Sequence, residues 1–146
     1  MVTKQKHYLF FIVAALVFVL DQLSKLAVKG LQQPVVLIPS FLQVTYIENT
    51  GSSFGMLQGW SYFLAAMGII IIIAFLLFFR SFPKDLLAIA AIGLILGGAL
   101  GNTVDRLLLG HVVDFIDFSF WPAFNIADSA MTIGVVLLIF ESFRKK

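Results

Sequence analysis

Four stretches of this chain, roughly Tyr8–Val28, Trp60–Phe79, Leu86–Val104 and Phe124–Phe143, are almost wholly apolar. Each has the roughly 20 residues that a helix needs to cross the hydrocarbon core of a bilayer. A chain of 146 residues that is 60% hydrophobic and 12% charged, with a mean hydropathy of +1.01, is far from the soluble balance. The expectation is an all-α polytopic membrane protein with four transmembrane helices, forming one domain over residues 1–146. Lys4 and Lys6 ahead of the run from Tyr8 to Leu20 imitate a secretory signal, but no small-x-small site follows, and Asp21, Ser24 and Lys25 occupy its place. The segment is expected to remain as the first span.

Basic residues mark the cytoplasmic flanks of membrane helices. Lys4, Lys6, Arg80, Lys84, Arg144, Lys145 and Lys146 fall on one side, and only Lys25, Lys29 and Arg106 on the other. Both termini are therefore expected inside, with the connections at 29–59 and 105–123 outside the plasma membrane. The net charge of +2 reports topology and gives no reason to expect a nucleic-acid partner. Six acidic residues, Asp21, Glu48, Asp105, Asp114, Asp117 and Asp128, then gather on the outer side, so any chemistry faces outward.

The connection at 29–59 is too long for a simple turn. Phe41–Ile47 has the β-branched and aromatic content of a strand, Pro34 and Pro39 bracket an apolar piece, and Asn49–Gly51 supplies turn chemistry before Phe54 and Met56. A small extracytoplasmic β element is expected there, half immersed, with Trp60 and Trp121 as interfacial anchors. In the third span Gly93, Gly97 and Gly101 repeat at four-residue spacing with Gly98 beside them. On a helix they make a smooth stripe that lets a neighbouring backbone approach closely.

The stretch from Gly97 to Ser129 carries the chemistry. It closes one apolar run with glycines, crosses a short connection holding Asp105, Arg106, Asp114 and Asp117, and enters the next run with Asn125 and Asp128 already inside it. An Asp at a helix centre in a membrane costs roughly 2.5–3.5 kcal/mol on insertion scales, so such placement calls for a task. Asp114, in the apolar string VVDFI, and Asp128, one turn into the last span, are the candidate catalytic pair. Two carboxyls in a poorly solvated place share a proton, which supplies a base and an acid together for water attack on an amide.

The other polar residues read as support. Asp21 and Lys25, four apart, share a helix face and can pair. Asn102 can share a face with Asp105 or Arg106, as a polar scaffold, and Arg106 offers a planar fork for a carboxylate or a peptide carbonyl. Asn49 with Gly51 fits an ordinary turn, or an amide beside an outward-facing site.

Competing chemistries lack their residues. The chain has no cysteine, which excludes disulfides, thiolate metal sites and a cysteine nucleophile. No His-Glu-x-x-His motif occurs and His7 and His111 fall on opposite sides of the membrane, so no metal or other cofactor is expected. Ser129 with His111 lacks a nucleophile elbow. A small ion- or proton-coupled transporter is the alternative, since membrane carboxylates also line ion pathways. It predicts polar residues through the whole membrane depth, whereas here they gather at one face.

DQLSK (Asp21–Lys25), ENTGSSFG (Glu48–Gly55), GGALGNTVDRLLLGHVVDFIDF (Gly97–Phe118) and WPAFNIADS (Trp121–Ser129) together resemble, in order over nearly the whole chain, the motif set of the lipoprotein signal peptidase family, the bacterial type II signal peptidases. The resemblance implies an aspartic endopeptidase of the plasma membrane that cuts diacylglyceryl-modified prolipoproteins just before the lipidated cysteine. It puts the catalytic aspartates on Asp114 and Asp128 and supporting positions on Asp21, Asn49, Asn102, Arg106 and Asn125. Ser52 and Ser53 stand where the family commonly has alanine. The expected partners are the prolipoprotein and membrane lipid, and the expected state is a monomer.

Overall fold

The computed structural model describes residues 2–52, 56–78, 81 and 85–144. Ser53, Phe54 and Gly55 of the ENTGSSFG motif, Phe79, Arg80 and Lys84 at the expected cytoplasmic turn, and Lys145 and Lys146 lie outside these residues. Among these residues are four helices, α1 (Val2–Val28), α2 (Ser61–Phe78), α3 (Leu86–Leu109) and α4 (Ile126–Arg144), and four strands, β1 (Val35–Ile38), β2 (Leu42–Asn49), β3 (Val112–Phe118) and β4 (Trp121–Phe124), with one strand pair between α1 and α2 and the other between α3 and α4. All four helices are long and apolar enough to cross a membrane. The chain is a multi-pass membrane protein.

α3 is the buried centre of the bundle, touching α1, α2 and α4, while the other three helices present most of their apolar side chains outward. That arrangement follows from its glycines. A Cβ built at Gly93 would lie 2.9 Å from the Phe10 carbonyl oxygen, and one at Gly97 would lie 2.6 Å from that of Ala14. α1 therefore runs along this stripe with its backbone almost in contact. Gly101 meets the Asp21 carboxylate, and Gly98 faces the other way, onto the Ala127 carbonyl of α4. Without a strong hydrophobic drive between helices in lipid, close packing of this kind holds the bundle together. Gly97→Leu should force α1 off α3, lowering the melting temperature in detergent and cutting activity at least tenfold although no polar group is lost. Unchanged melting and activity in that variant would contradict the packing.

The sheet is antiparallel throughout, in the order β1-β2-β3-β4. It caps one end of the bundle, joined to it by a second apolar cluster in which Val28 of α1 meets Val113 and Phe115 of β3. Trp60 and Trp121 stand half exposed at that end.

The sheet is larger than the residues between 29 and 59 suggest. The second connection, expected as a short polar link from 105 to 123, contributes two of its strands, because VVDFIDF pairs with β2 and WPAF with VVDFIDF. The third helix also runs to Leu109 and not to Val104. Asp105 and Arg106 do not end it, since their side chains find partners inside the protein. It stops at Gly110, whose φ of 78° is left-handed and whose N–H returns to the Arg106 carbonyl. The last span starts at Ile126, two residues later than expected, because Phe124 belongs to β4.

Candidate active site

The N-terminus of α4 builds the first half of the site. Asn125 is the capping residue: its Oδ1 accepts from the Asp128 N–H at 2.9 Å, and Asp128 Oδ2 accepts from the Asn125 N–H at 3.3 Å. This reciprocal cap fixes Asp128 against the helix end, where the exposed N–H groups favour a negative charge. The other Asp128 oxygen accepts from Asn102 Nδ2 at 2.7 Å.

β3 supplies the second half. Asp114 sits opposite Ile47 of β2, and its two oxygens accept from Asn49 Nδ2 at 2.9 Å and Asn125 Nδ2 at 2.8 Å. Asn125 thus touches both carboxyl groups. Burial pushes the Asp114 carboxyl up to about 6, helped by the negative charge of Asp128 and opposed by the hydrogen bonds from the two asparagines. Asn49 is held in turn by its own backbone, its Oδ1 accepting from the Gly51 N–H at 3.0 Å. Glycine is required at 51, since a Cβ there would run into the backbone of residues 56–58. Asn49 therefore closes the turn and bonds Asp114 at the same time.

A buried ionic layer underlies the pair. Lys25 Nζ contacts Asp21 Oδ2 at 2.7 Å, Asp105 Oδ2 at 2.8 Å and Asn102 Oδ1 at 3.0 Å, so its three N–H groups have three acceptors. Asp21 also accepts from the Ala127 N–H of α4, and Asp105 from the Val113 N–H of β3. One lysine thereby ties α1 and α3 to the elements that carry Asp114 and Asp128. Gln22, which the sequence reading passed over, donates to Asp105 Oδ1 at 2.9 Å and braces the same layer. Its position beside Asp21 in DQLSK is the only local sign of that role.

Arg106 reaches across to the Gly51 carbonyl, so its fork orients this chain's own backbone beside the cleft, where peptide recognition was one expectation. Asp117 is half-buried and accepts from Gln43 Nε2 of β2 at 2.6 Å. All ten residues expected to act or assist fall in one connected network, and Asp117 lies outside it.

Asp114 and Asp128 open into a cleft of about 830 Å³ between α2, α3, α4 and the sheet. Its polar end holds the two carboxyls, Asn49, Asn102 and Arg106, and its apolar part is walled by Leu64, Met67, Ile71, Met131 and Ile133. A membrane protein with two oriented carboxyls at the polar end of an apolar cleft has the layout of a membrane-embedded aspartic hydrolase.

Comparison with known proteins gives the particular family. Residues 13–144 match the family described as Signal peptidase (SPase) II. A lipoprotein signal peptidase from Pseudomonas aeruginosa is 45% identical over 148 aligned residues, covering 92% of this chain and 87% of the relative; one from Halothermothrix orenii is 38% identical over 132, covering 88% and 91%. Two solved structures of bacterial membrane enzymes superpose with TM-scores of 0.84 and 0.82 at 38% and 39% identity, covering 92% and 94% of this chain and 87% and 94% of theirs. The chain belongs to the signal peptidase II family and is a peptidase. The transporter alternative finds no support.

Proposed function

We propose that this peptidase removes the signal peptide from diacylglyceryl-modified prolipoproteins, cutting before the lipidated cysteine, with Asp114 and Asp128 as the catalytic dyad. The observation that carries this reading is the placement of Asn125, which bonds both carboxyls and leaves them facing one cleft. The two carboxyls share one proton, so that one member of the pair serves as base and the other as acid. The base takes a proton from water as it attacks the scissile carbonyl. The acid donates to the developing oxyanion, and a proton is then passed to the departing amine. Asn49, Asn102 and Arg106 keep the two carboxyls and the nearby turn in place, and the apolar part of the cleft takes the signal peptide and lipid. Every one of these groups comes from a single chain, which supports a monomer as the working unit.

Purified protein should cut a diacylglyceryl prolipoprotein before its modified cysteine and cut the unlipidated form at least tenfold more slowly. Equal rates on both would contradict the lipid requirement, and no cleavage of either would contradict the reading as a whole.

The location proposed is the bacterial plasma membrane, with both termini cytoplasmic and the site outward. The asymmetry of seven basic residues against three supports it. The cysteine-free chain makes the check simple. Single cysteines at positions 43 and 119 should react with an impermeant maleimide in cells whose outer barrier is opened, and one at position 82 should not; the reverse pattern would invert the topology.

A further inference from the structure

We propose that four phenylalanine rings on the sheet, Phe124, Phe118, Phe41 and Phe120, form the subsite for the acyl chains of the substrate's diacylglyceryl group. This inference divides between two walls the apolar surface that the function proposed above assigns to the cleft as a whole, and it rests on that function.

Phe124, next to Asn125, lines the cleft. Its ring stacks on that of Phe118, with centroids 6.0 Å apart and planes 13° from parallel. Phe118 in turn meets Phe41 at 5.4 Å and Phe120 at 5.8 Å, and those two rings lie 5.6 Å from each other. The track is continuous. Phe118 also lies four residues beyond Asp114 on β3, so side-chain alternation puts it on the face of the strand that carries the carboxyl, about 13 Å farther along. The rings therefore lead from the dyad to the outer end of the sheet, where Phe41 is 43% and Phe120 69% exposed.

That outer end is suited to lipid. It joins the tips of the two hairpins, with the Ser119 N–H donating to the Phe41 carbonyl at 3.2 Å. From Gly30 to Ile47 no residue is charged. Val35, Val36, Leu37 and Ile38 are all exposed, so β1 shows apolar side chains on both faces. An apolar edge strand facing water invites aggregation, and charged side chains are a common guard against it. This strand has none, while Pro34 and Pro39 on either side of it hinder the addition of a strand from a second copy. It also follows α1, whose Leu20, Leu23 and Leu26 are exposed along a membrane span. The lipid-facing surface of α1 thus continues onto the sheet, and the rings join that surface to the dyad.

The substrate calls for such a track. Its two apolar parts lie on opposite sides of the bond to be cut, with the signal peptide upstream and the lipid on the residue immediately downstream. The signal peptide belongs against the membrane-spanning wall, formed by Leu64, Met67 and Ile71 of α2 with Met131 and Ile133 of α4. The lipid then falls on the side of the sheet. For the scissile carbonyl to reach Asp114 and Asp128, the glycerol end of the lipid has to leave the bilayer, and the methylenes drawn out with it face water unless another apolar surface receives them. The four rings are that surface. They hold a chain by contact area and not by hydrogen bonds, so the subsite accepts acyl chains of differing length.

The test uses the full-length protein in phospholipid nanodiscs. An uncleavable lipopeptide, its scissile amide reduced to a methylene-amine, carries a diazirine on each acyl chain near the ester. Irradiation should label the segments holding Phe41, Phe118 and Phe120 several times more strongly than a diazirine phospholipid labels them in the same nanodiscs. Labelling confined to α2 and α4, or equal labelling by the phospholipid, would overturn the subsite. Kinetics give a second reading. The preference for a dipalmitoyl over a dibutyryl substrate, as a ratio of kcat/KM, should fall on the order of tenfold in Phe41→Asn/Phe120→Asn and return in Phe41→Leu/Phe120→Leu, which restores apolar surface. Equal losses on both substrates, or an unchanged ratio, would contradict the assignment. Labelling of the rings in a protein that cuts neither substrate would support the subsite and count against the proposed function instead.

Discussion

Lys25→Met should leave a protein that inserts into the membrane but has no measurable peptidase activity and is less stable by about 3–5 kcal/mol, the usual cost of stranding a buried charge. The expectation comes from the geometry of the Nζ group. It neutralises Asp21 and Asp105 and holds the Asn102 oxygen, all of them buried, while Asn102 in turn donates to Asp128. Without it, two carboxylates face each other across α1 and α3 with no cation between them. Lys25→Arg should rescue little, because a planar fork does not reproduce three divergent bonds in a cavity shaped for an ammonium group. Adding Asp21→Asn to Lys25→Met should restore part of the stability by removing one of the uncompensated charges, but not the activity. Thermal unfolding in detergent, scored beside cleavage, checks this. A Lys25→Met protein within 1 kcal/mol of the parent would show that the layer is dispensable.

Much of this layer was legible in the sequence, and the part that was not has a clear reason. Asp21 and Lys25 are one helical turn apart, so their pairing is a local fact. The bond from Lys25 to Asp105 joins residues eighty apart, and no spacing rule reaches that far. Gln22 escaped notice because an amide between a charged and an apolar residue is unexceptional. The spans declared themselves by length and hydropathy. The end of α3 did not, since Asp105 and Arg106 look like the exit from a membrane until Asp105 is seen turned in against Lys25 and Arg106 turned toward Gly51.

The missing strands have a similar explanation. VVDFIDF is rich in strand-forming residues, but its apolar side chains serve both faces, so no clean alternation marks it. Val113 and Phe115 pack on Val28, while Asp114 faces the cleft. The polar residue that attracts attention as chemistry hides the element that positions it. The glycine stripe was readable as a close contact, but which helix it met was not. Gly93 and Gly97 turned out to serve α1, and Gly98 serves α4.

Asp114→Asn and Asp128→Asn should each abolish cleavage while leaving membrane insertion and binding of lipidated substrate intact. Asparagine keeps the size and part of the hydrogen bonding of aspartate and removes only the ability to hold or release the shared proton. Each single change therefore disables the whole unit, and the double variant should be hardly slower than either one. Asp117→Asn is the internal control, since its carboxylate is occupied with Gln43 and lies outside the network. The deciding measurement is single-turnover cleavage of a diacylglyceryl prolipoprotein by the parent, the two single variants, the double variant and Asp117→Asn, with binding of the same substrate measured in parallel. At least a thousandfold loss is expected in all three dyad variants at unchanged affinity, with Asp117→Asn within threefold of the parent. Substantial turnover by either single dyad variant, or a loss confined to Asp117→Asn, would contradict it.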